Sequence, residues 1–154
     1  MSRSNTVAVL VYGEAAAAKR TLRELGEYTG GTVYLVLDAA APCEFLNRTA
    51  FQRDDTFLLF LEAGLAPQSP DWWKTLLAPC VADDTIGAAV GTRSDDNDNP
   101  LAGFLTRRTV FETLGGLDPD RQPLHGFLEE YLARLIGQGY ECRAPAVSFR
   151  QANG

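Results

Sequence analysis

Acids at the ends of apolar runs are the residues of this sequence best suited to do chemistry. Asp38 closes TVYLVLD and Glu62 closes FLLFLE, while Tyr12 ends VAVLVY, with Glu14 two residues on. A carboxylate at a strand end accepts a hydrogen bond from a ribose or a base, or holds a divalent ion. The plainer use of such an acid is to cap a helix or to sit solvated in a loop. Further along, Asp118 follows the double glycine of LGGLD, and Glu129-Glu130 stand early in a leucine-rich segment. Paired carboxylates suit a general base and its orienter. Acids in a first helical turn also complement the macrodipole, and Glu130 lies four residues before Arg134, an ordinary helical ion pair.

Other candidates are weaker. His125 is the single histidine, and no cysteine or serine stands beside it in a readable motif, so a nucleophilic triad is not supported. SDDNDN (94–99) has part of a calcium loop but lacks its glycine and final glutamate. Asn47-Arg48-Thr49 matches a glycosylation sequon, a chance match in a chain read here without a secretory signal. Trp72 and Trp73 suit packing better than sugar stacking.

These residues must be positioned by elements that the pattern makes legible. VAVLVY (7–12) is a buried strand. Glu14 to Thr29 is rich in helix formers, with Ala15, Ala18, Leu22 and Leu25 as its apolar stripe, and Gly30-Gly31 ends it. TVYLVLD (32–38) is the second strand, which completes a βαβ unit with parallel pairing. A loop with one helical turn near Phe45 to Thr49 leads to a third strand, Thr56 to Leu61. Asp71 is placed to cap a short helix, Trp72 to Ala78, which Pro79 stops. Ile86 to Val90 and Leu101 to Thr106 are strands, separated by the polar loop 92–100. Arg108 to Leu114 is a helix closed by Gly115-Gly116. Residues 126 to 138 form another, with Leu128, Leu132 and Leu135 buried, and Cys142 to Phe149 is a last extended segment. Three acid-bearing strand ends thereby share one sheet edge.

With 154 residues, 45% of them hydrophobic, the chain suits one α/β domain spanning 1–154. A net charge of −6 argues against nucleic acid as a partner. No apolar run is long enough to span a bilayer. Three cysteines, Cys43, Cys80 and Cys142, lie far apart, as suits reduced thiols in a cytoplasmic protein.

Taken in order, these segments resemble a family-2 glycosyltransferase with the GT-A fold. VAVLVYGEAAAAKRTLREL looks like the opening strand and helix of that family, and TVYLVLD like its second strand, whose end carries an acid for the nucleotide base. FLLFLEAGLAPQSPDWWKTLL resembles the stretch with the acid-x-acid metal motif. GFLTRRTVFETLGGLDPD is the closest match, to the acceptor-side strand, helix and Gly-Gly-Phe-Asp. LEEYLARLIGQGYECRAPAV resembles the helix and strand that end the catalytic core. The resemblance covers most of the chain and implies a shortened GT-A-like (Rossmann-like) domain with a mostly parallel sheet flanked by helices. It implies transfer from a nucleotide-diphosphate sugar to an acceptor it does not identify. Tyr12, Glu14, Asp38 and Glu62 would hold the donor, with Glu62 at the diphosphate or as lone ligand to manganese or magnesium. Asp118, Glu129 and Glu130 would be the catalytic acids facing the acceptor.

The departures bear on chemistry. Gly64 holds the second position of acid-x-acid. The family's Glu-Asp pair falls on Phe127 and Leu128, which cannot take a proton. The histidine that follows the last strand gives way to Ser148-Phe149-Arg150-Gln151. One glutamate without a histidine is a poor divalent site, and a protein cation such as Arg107 or Arg108 would have to supply the missing charge. The competing reading is therefore an inactive GT-A-like binding or assembly module. Self-association would cover apolar surface left by the shortened core. A different nucleotide-binding domain is disfavoured, since no GxGxxG or P-loop pattern follows any strand.

Overall fold

The computed structural model describes residues 6–25, 28, 30–36, 42–93, 101–118 and 124–152, leaving aside the side chains of 42, 43, 101 and 124–127. Asp38, the 94–99 loop and the side chain of His125 lie outside the described residues.

Eight strands and five helices follow one another as β1 (Val7–Tyr12), α1 (Ala15–Leu25), β2 (Val33–Val36), α2 (Pro42–Phe51), β3 (Phe57–Glu62), β4 (Leu65–Pro67), α3 (Trp72–Ala82), β5 (Ile86–Arg93), β6 (Leu101–Arg107), α4 (Arg108–Leu114), α5 (Leu124–Gly137), β7 (Glu141–Arg143) and β8 (Ser148–Gln151). They form one sheet in the order β2-β1-β3-β6-β5-β8-β4, with β7 paired to β5. The pairs β1–β2, β1–β3, β5–β7 and β5–β8 are parallel, whereas β3–β6, β5–β6 and β4–β8 are antiparallel. The sheet is thus mostly parallel, as expected, with β6 running against its neighbours. Since β6 opposes both β3 and β5, those two run the same way as β1 and β2, and all four end at one edge.

Alternation along the strands builds two cores. Ala8, Leu10, Leu58, Phe60, Ala88 and Phe104 face α2, α4 and α5, where Leu46, Phe111, Tyr131 and Leu135 meet them. Val7, Val9, Leu59, Leu61 and Leu105 face α1 and α3, where Ala18, Trp72, Leu76 and Cys80 cover them. Stacked rings of Phe60 with Phe104 and Phe111 fill the first core, their centroids 5.1 and 5.4 Å apart.

Four expectations about elements need correction. The segment read as a loop with one turn is the ten-residue helix α2; Pro42, lacking an N–H, suits a first helical turn. Pro79 does not stop α3, which runs on to Ala82. Leu76 and Cys80 are fully buried on either side of it, and that burial outweighs the lost backbone bond. The α1 stripe is Ala18, Thr21 and Leu25, while Leu22 is 42% exposed. Strand β4 was not read from the sequence, being three residues long and ending in proline. Large exposed apolar side chains, Leu22, Leu35, Phe51, Val81 and Ile136, each sit on a different element.

Candidate functional site at the carboxyl edge of the sheet

The register places Tyr12 beside Val36 on one side and Glu62 on the other, so the ends of β1, β2 and β3 are level. Ligands of open α/β sheets bind beyond such ends. Tyr12 is buried to 3% and belongs to the core, so its ring closes the floor of this edge. Glu14 is exposed and its Oε1 accepts from Ala16 N–H at 2.9 Å, the capping role.

Glu62 meets a partner that sequence reading missed. Arg93, the last residue of β5, donates from Nη1 to Glu62 Oε2 at 3.0 Å, and each side chain is about one-fifth exposed. Strand β6 lies between β3 and β5, so the pair spans it. Small residues permit this: Gly103 pairs with Leu61 and Gly91, and Ala102 is an extra residue where the ladder shifts between Gly91 and Thr92. Such bulges re-aim neighbouring side chains. Arg107 and Arg108, considered as substitutes for a metal's charge, cannot act here. Arg107 pairs with Phe57, at the opposite end of β3, and bonds Cys80 O, while Arg108 bonds Asp55 O and Glu112.

The second position after Glu62 is also occupied structurally. Gly64 has φ +95°, its N–H donates to Thr21 Oγ1 at 2.8 Å, and its carbonyl accepts from Ala152 N–H at 2.8 Å. Among the described residues no three His, Cys, Asp or Glu side chains gather as a metal site. Among the described residues the donor set at this edge is one carboxylate, already bonded to a guanidinium, which does not fit a divalent ion. Arg150, within the tetrapeptide that replaces the family's histidine, donates to Glu24 on α1 at 3.1 Å.

A second cluster holds the segment after α4. Gly115 and Gly116 both have φ +82°, and their N–H groups donate to Glu112 O and Phe111 O, closing the helix. Arg134 on α5 donates to Leu114 O at 2.6 Å and to Gly116 O at 2.7 Å. The same guanidinium bonds both oxygens of Glu130, at 2.6 and 2.8 Å. Asn47 on α2 completes the clasp, donating to Leu117 O and accepting from Leu117 N–H, both at 2.8 Å. Asp118 is thus delivered half-buried from a turn fixed on two sides, directly after Leu117 in the core that contains Tyr12. Glu129 is exposed on α5. Leu128, in the place of a family acid, is buried to 3%. The helical spacing foretold the Glu130–Arg134 pair, whereas nothing in the sequence signalled that Asn47 would reach a turn 70 residues away.

Among the described residues, open clefts lie elsewhere. One, ≈ 420 Å³, is lined by Thr113, Leu114, Arg134, Gly137 and Gln138. Another, ≈ 370 Å³, lies between Glu24 and the Pro67–Trp72 segment. Neither is lined by Glu62, Arg93 or Asp118.

No family model matches the chain, and no curated protein matches it by sequence. Solved structures do match in shape. A mannosyltransferase from Pyrobaculum calidifontis, in complex with GDP-Man and Mn2+, superposes with a TM-score of 0.78 at 14% identity, over 98% of this chain and 58% of that one. GalNAc-T7 with UDP, GalNAc and Mn2+ gives 0.72 at 13%, over 98% of this chain and 44% of that one. Glucosyl-3-phosphoglycerate synthase from Mycobacterium tuberculosis, with Mn2+, UDP and phosphoglyceric acid, gives 0.70 at 10%, over 97% and 72%. The chain therefore spans little more than half, or less, of the first two. Its fold is that of the GT-A glycosyltransferases.

Proposed function

We propose that this chain is a family-2-like glycosyltransferase domain that takes its sugar from a nucleotide-diphosphate donor. The observation that carries the reading is the likeness, over 98% of the chain, to a mannosyltransferase holding GDP-mannose. The clasped turn before Asp118 supports it, since a positioned carboxylate is what an acceptor hydroxyl requires. In this reading Asp38 contacts the nucleotide, and the Glu62–Arg93 pair faces the diphosphate. Asp118 takes the acceptor's proton, Glu129 flanks the acceptor, and Glu130 fixes the turn through Arg134. The acceptor oxygen bonds to the sugar's anomeric carbon as that carbon's bond to the diphosphate breaks. The electron pair leaves on the diphosphate, and the hydroxyl proton goes to Asp118. Free Cys80 and Cys142 suit a reducing, cytoplasmic setting.

The test is a thermal-shift panel of UDP, GDP, dTDP and CDP and their sugars. A ligand at a hundred times its dissociation constant adds about 2.7 kcal/mol, which raises the melting temperature by roughly 5–10 °C for a domain of this size. A shift with one base names the donor. A flat panel overturns the transferase reading and favours a domain that binds a partner without transfer.

A further inference from the structure

The Glu62–Arg93 pair stands where the family resemblance places the acid-x-acid metal motif, and its chemistry differs from a metal site. A metal bridge needs carboxylate oxygens turned toward the ion and away from protein cations. Here Glu62 Oε2 lies 3.0 Å from Arg93 Nη1, and the residue two further on is a glycine. A cation is nonetheless present at this edge, built into the chain. A guanidinium carries a fixed positive charge and a planar fork of N–H donors that matches phosphate oxygens. The strands that carry the two residues end at the same edge, and the intervening β6 sets the small residues Ala102 and Gly103 beside Leu61, Glu62 and Gly91. Both side chains keep about one-fifth of their surface exposed, so an anion can approach.

We infer that Arg93, aimed by Glu62, binds the diphosphate of the donor in place of a divalent metal. The inference rests on the nucleotide-sugar reading above. Arg93 supplies the charge that stabilises the leaving diphosphate, and Glu62 is a positioning residue. Removing the glutamate's charge while keeping its shape separates the two chemistries by sign. Glu62→Gln weakens binding if Glu62 is a metal ligand. It leaves binding equal or tighter if Glu62 merely aims an arginine, since the competing carboxylate charge is gone.

The experiment is titration calorimetry of UDP, GDP, dTDP and CDP, in EDTA and again in manganese. It uses the whole chain, Arg93→Gln, Arg93→Lys and Glu62→Gln, with melting temperatures as folding controls. The expected result is one nucleotide whose affinity is the same within twofold with or without manganese. Its affinity falls roughly 10- to 100-fold in Arg93→Gln, the loss due to charge-assisted phosphate bonds. Arg93→Lys falls between, and Glu62→Gln is not weakened. Binding that requires manganese and is lost in Glu62→Gln overturns the inference while the nucleotide reading stands. So does a folded Arg93→Gln that binds as tightly as the parent. Absence of binding to any nucleotide under either condition overturns both.

Discussion

At position 64 a single backbone dihedral decides whether a pair of metal-binding acids can exist. Gly64 sits at φ +95°, in the region that L side chains avoid. Space is not the obstacle, for a Cβ there would meet only Ala17 Cβ, at an ordinary 3.6 Å. The turn is fixed from both sides, by Thr21 through the glycine's N–H and by Ala152 at its carbonyl. Gly64→Asp would restore the acid-x-acid spacing on paper, and its cost is about 1–2 kcal/mol of backbone strain. The expected outcome is a melting temperature lower by roughly 2–8 °C and no gain in stability from manganese, because Glu62 stays with Arg93. Thermal denaturation with and without the ion checks it; an unchanged or higher melting temperature would mean the turn relaxes. The sequence gives the glycine but not its dihedral, which comes from a 43-residue contact between α1 and the β3–β4 turn.

Elements were legible where their signal is local. Apolar runs marked β1, β3 and β5, the 3.6-residue period marked α1 and α5, and the double glycine set the end of α4 to the residue. What failed was punctuation overridden by tertiary burial: Pro79 inside α3, and α2, where the apolar face of Leu46 and Ala50 is short and interrupted by Asn47 and Arg48. The site divides the same way. The Glu130–Arg134 pair is four residues apart and readable, whereas Glu62–Arg93 and Asn47–Leu117 are 31 and 70 apart and exist only once the sheet closes. The α4–α5 connection depends on Arg134, which satisfies two carbonyls and a carboxylate only 15% exposed. Arg134→Ala leaves all three without that partner and costs about 2–4 kcal/mol. Asn47→Ala removes two neutral bonds from the same turn and costs about 1–2 kcal/mol. Urea denaturation measures both, and hydrogen exchange at Leu117 N–H reports the turn directly. A smaller loss for Arg134→Ala than for Asn47→Ala would show that the turn holds itself.

Across the whole molecule, buried hydroxyl and thiol groups on both sides of the sheet set its alkaline limit. Thr106, fully buried on β6, gives its single hydroxyl hydrogen to Gly87 O at 2.9 Å. It therefore accepts from Tyr131 Oη, also at 2.9 Å, which joins β5, β6 and α5. Burial pushes the Tyr131 phenol well above its ordinary value, more than its bond to Thr106 and the nearby Arg134 charge pull it back. Tyr28, covered on the other side, is raised by burial and then by the charge of Asp55. Burial likewise pushes the Cys80 thiol up to about 11. Each folded-state value is raised, so each group's contribution is complete below its unfolded value and declines above it. The unfolded chain sheds these protons first, from about pH 8.5 for the thiol and about pH 10 for the phenols. Stability then falls by up to ~1.4 kcal/mol per pH unit for each group that stays protonated in the fold. Urea midpoints should hold steady through neutral pH and drop steeply between about pH 10 and 11.5. Tyr131→Phe should remove one proton's worth of that slope, after an initial loss at neutral pH of about 1 kcal/mol for its hydrogen bond. If the slope of the variant above pH 10 matches that of the parent, Tyr131 ionises within the folded protein, and the hydroxyl tie between α5 and the sheet is open to water.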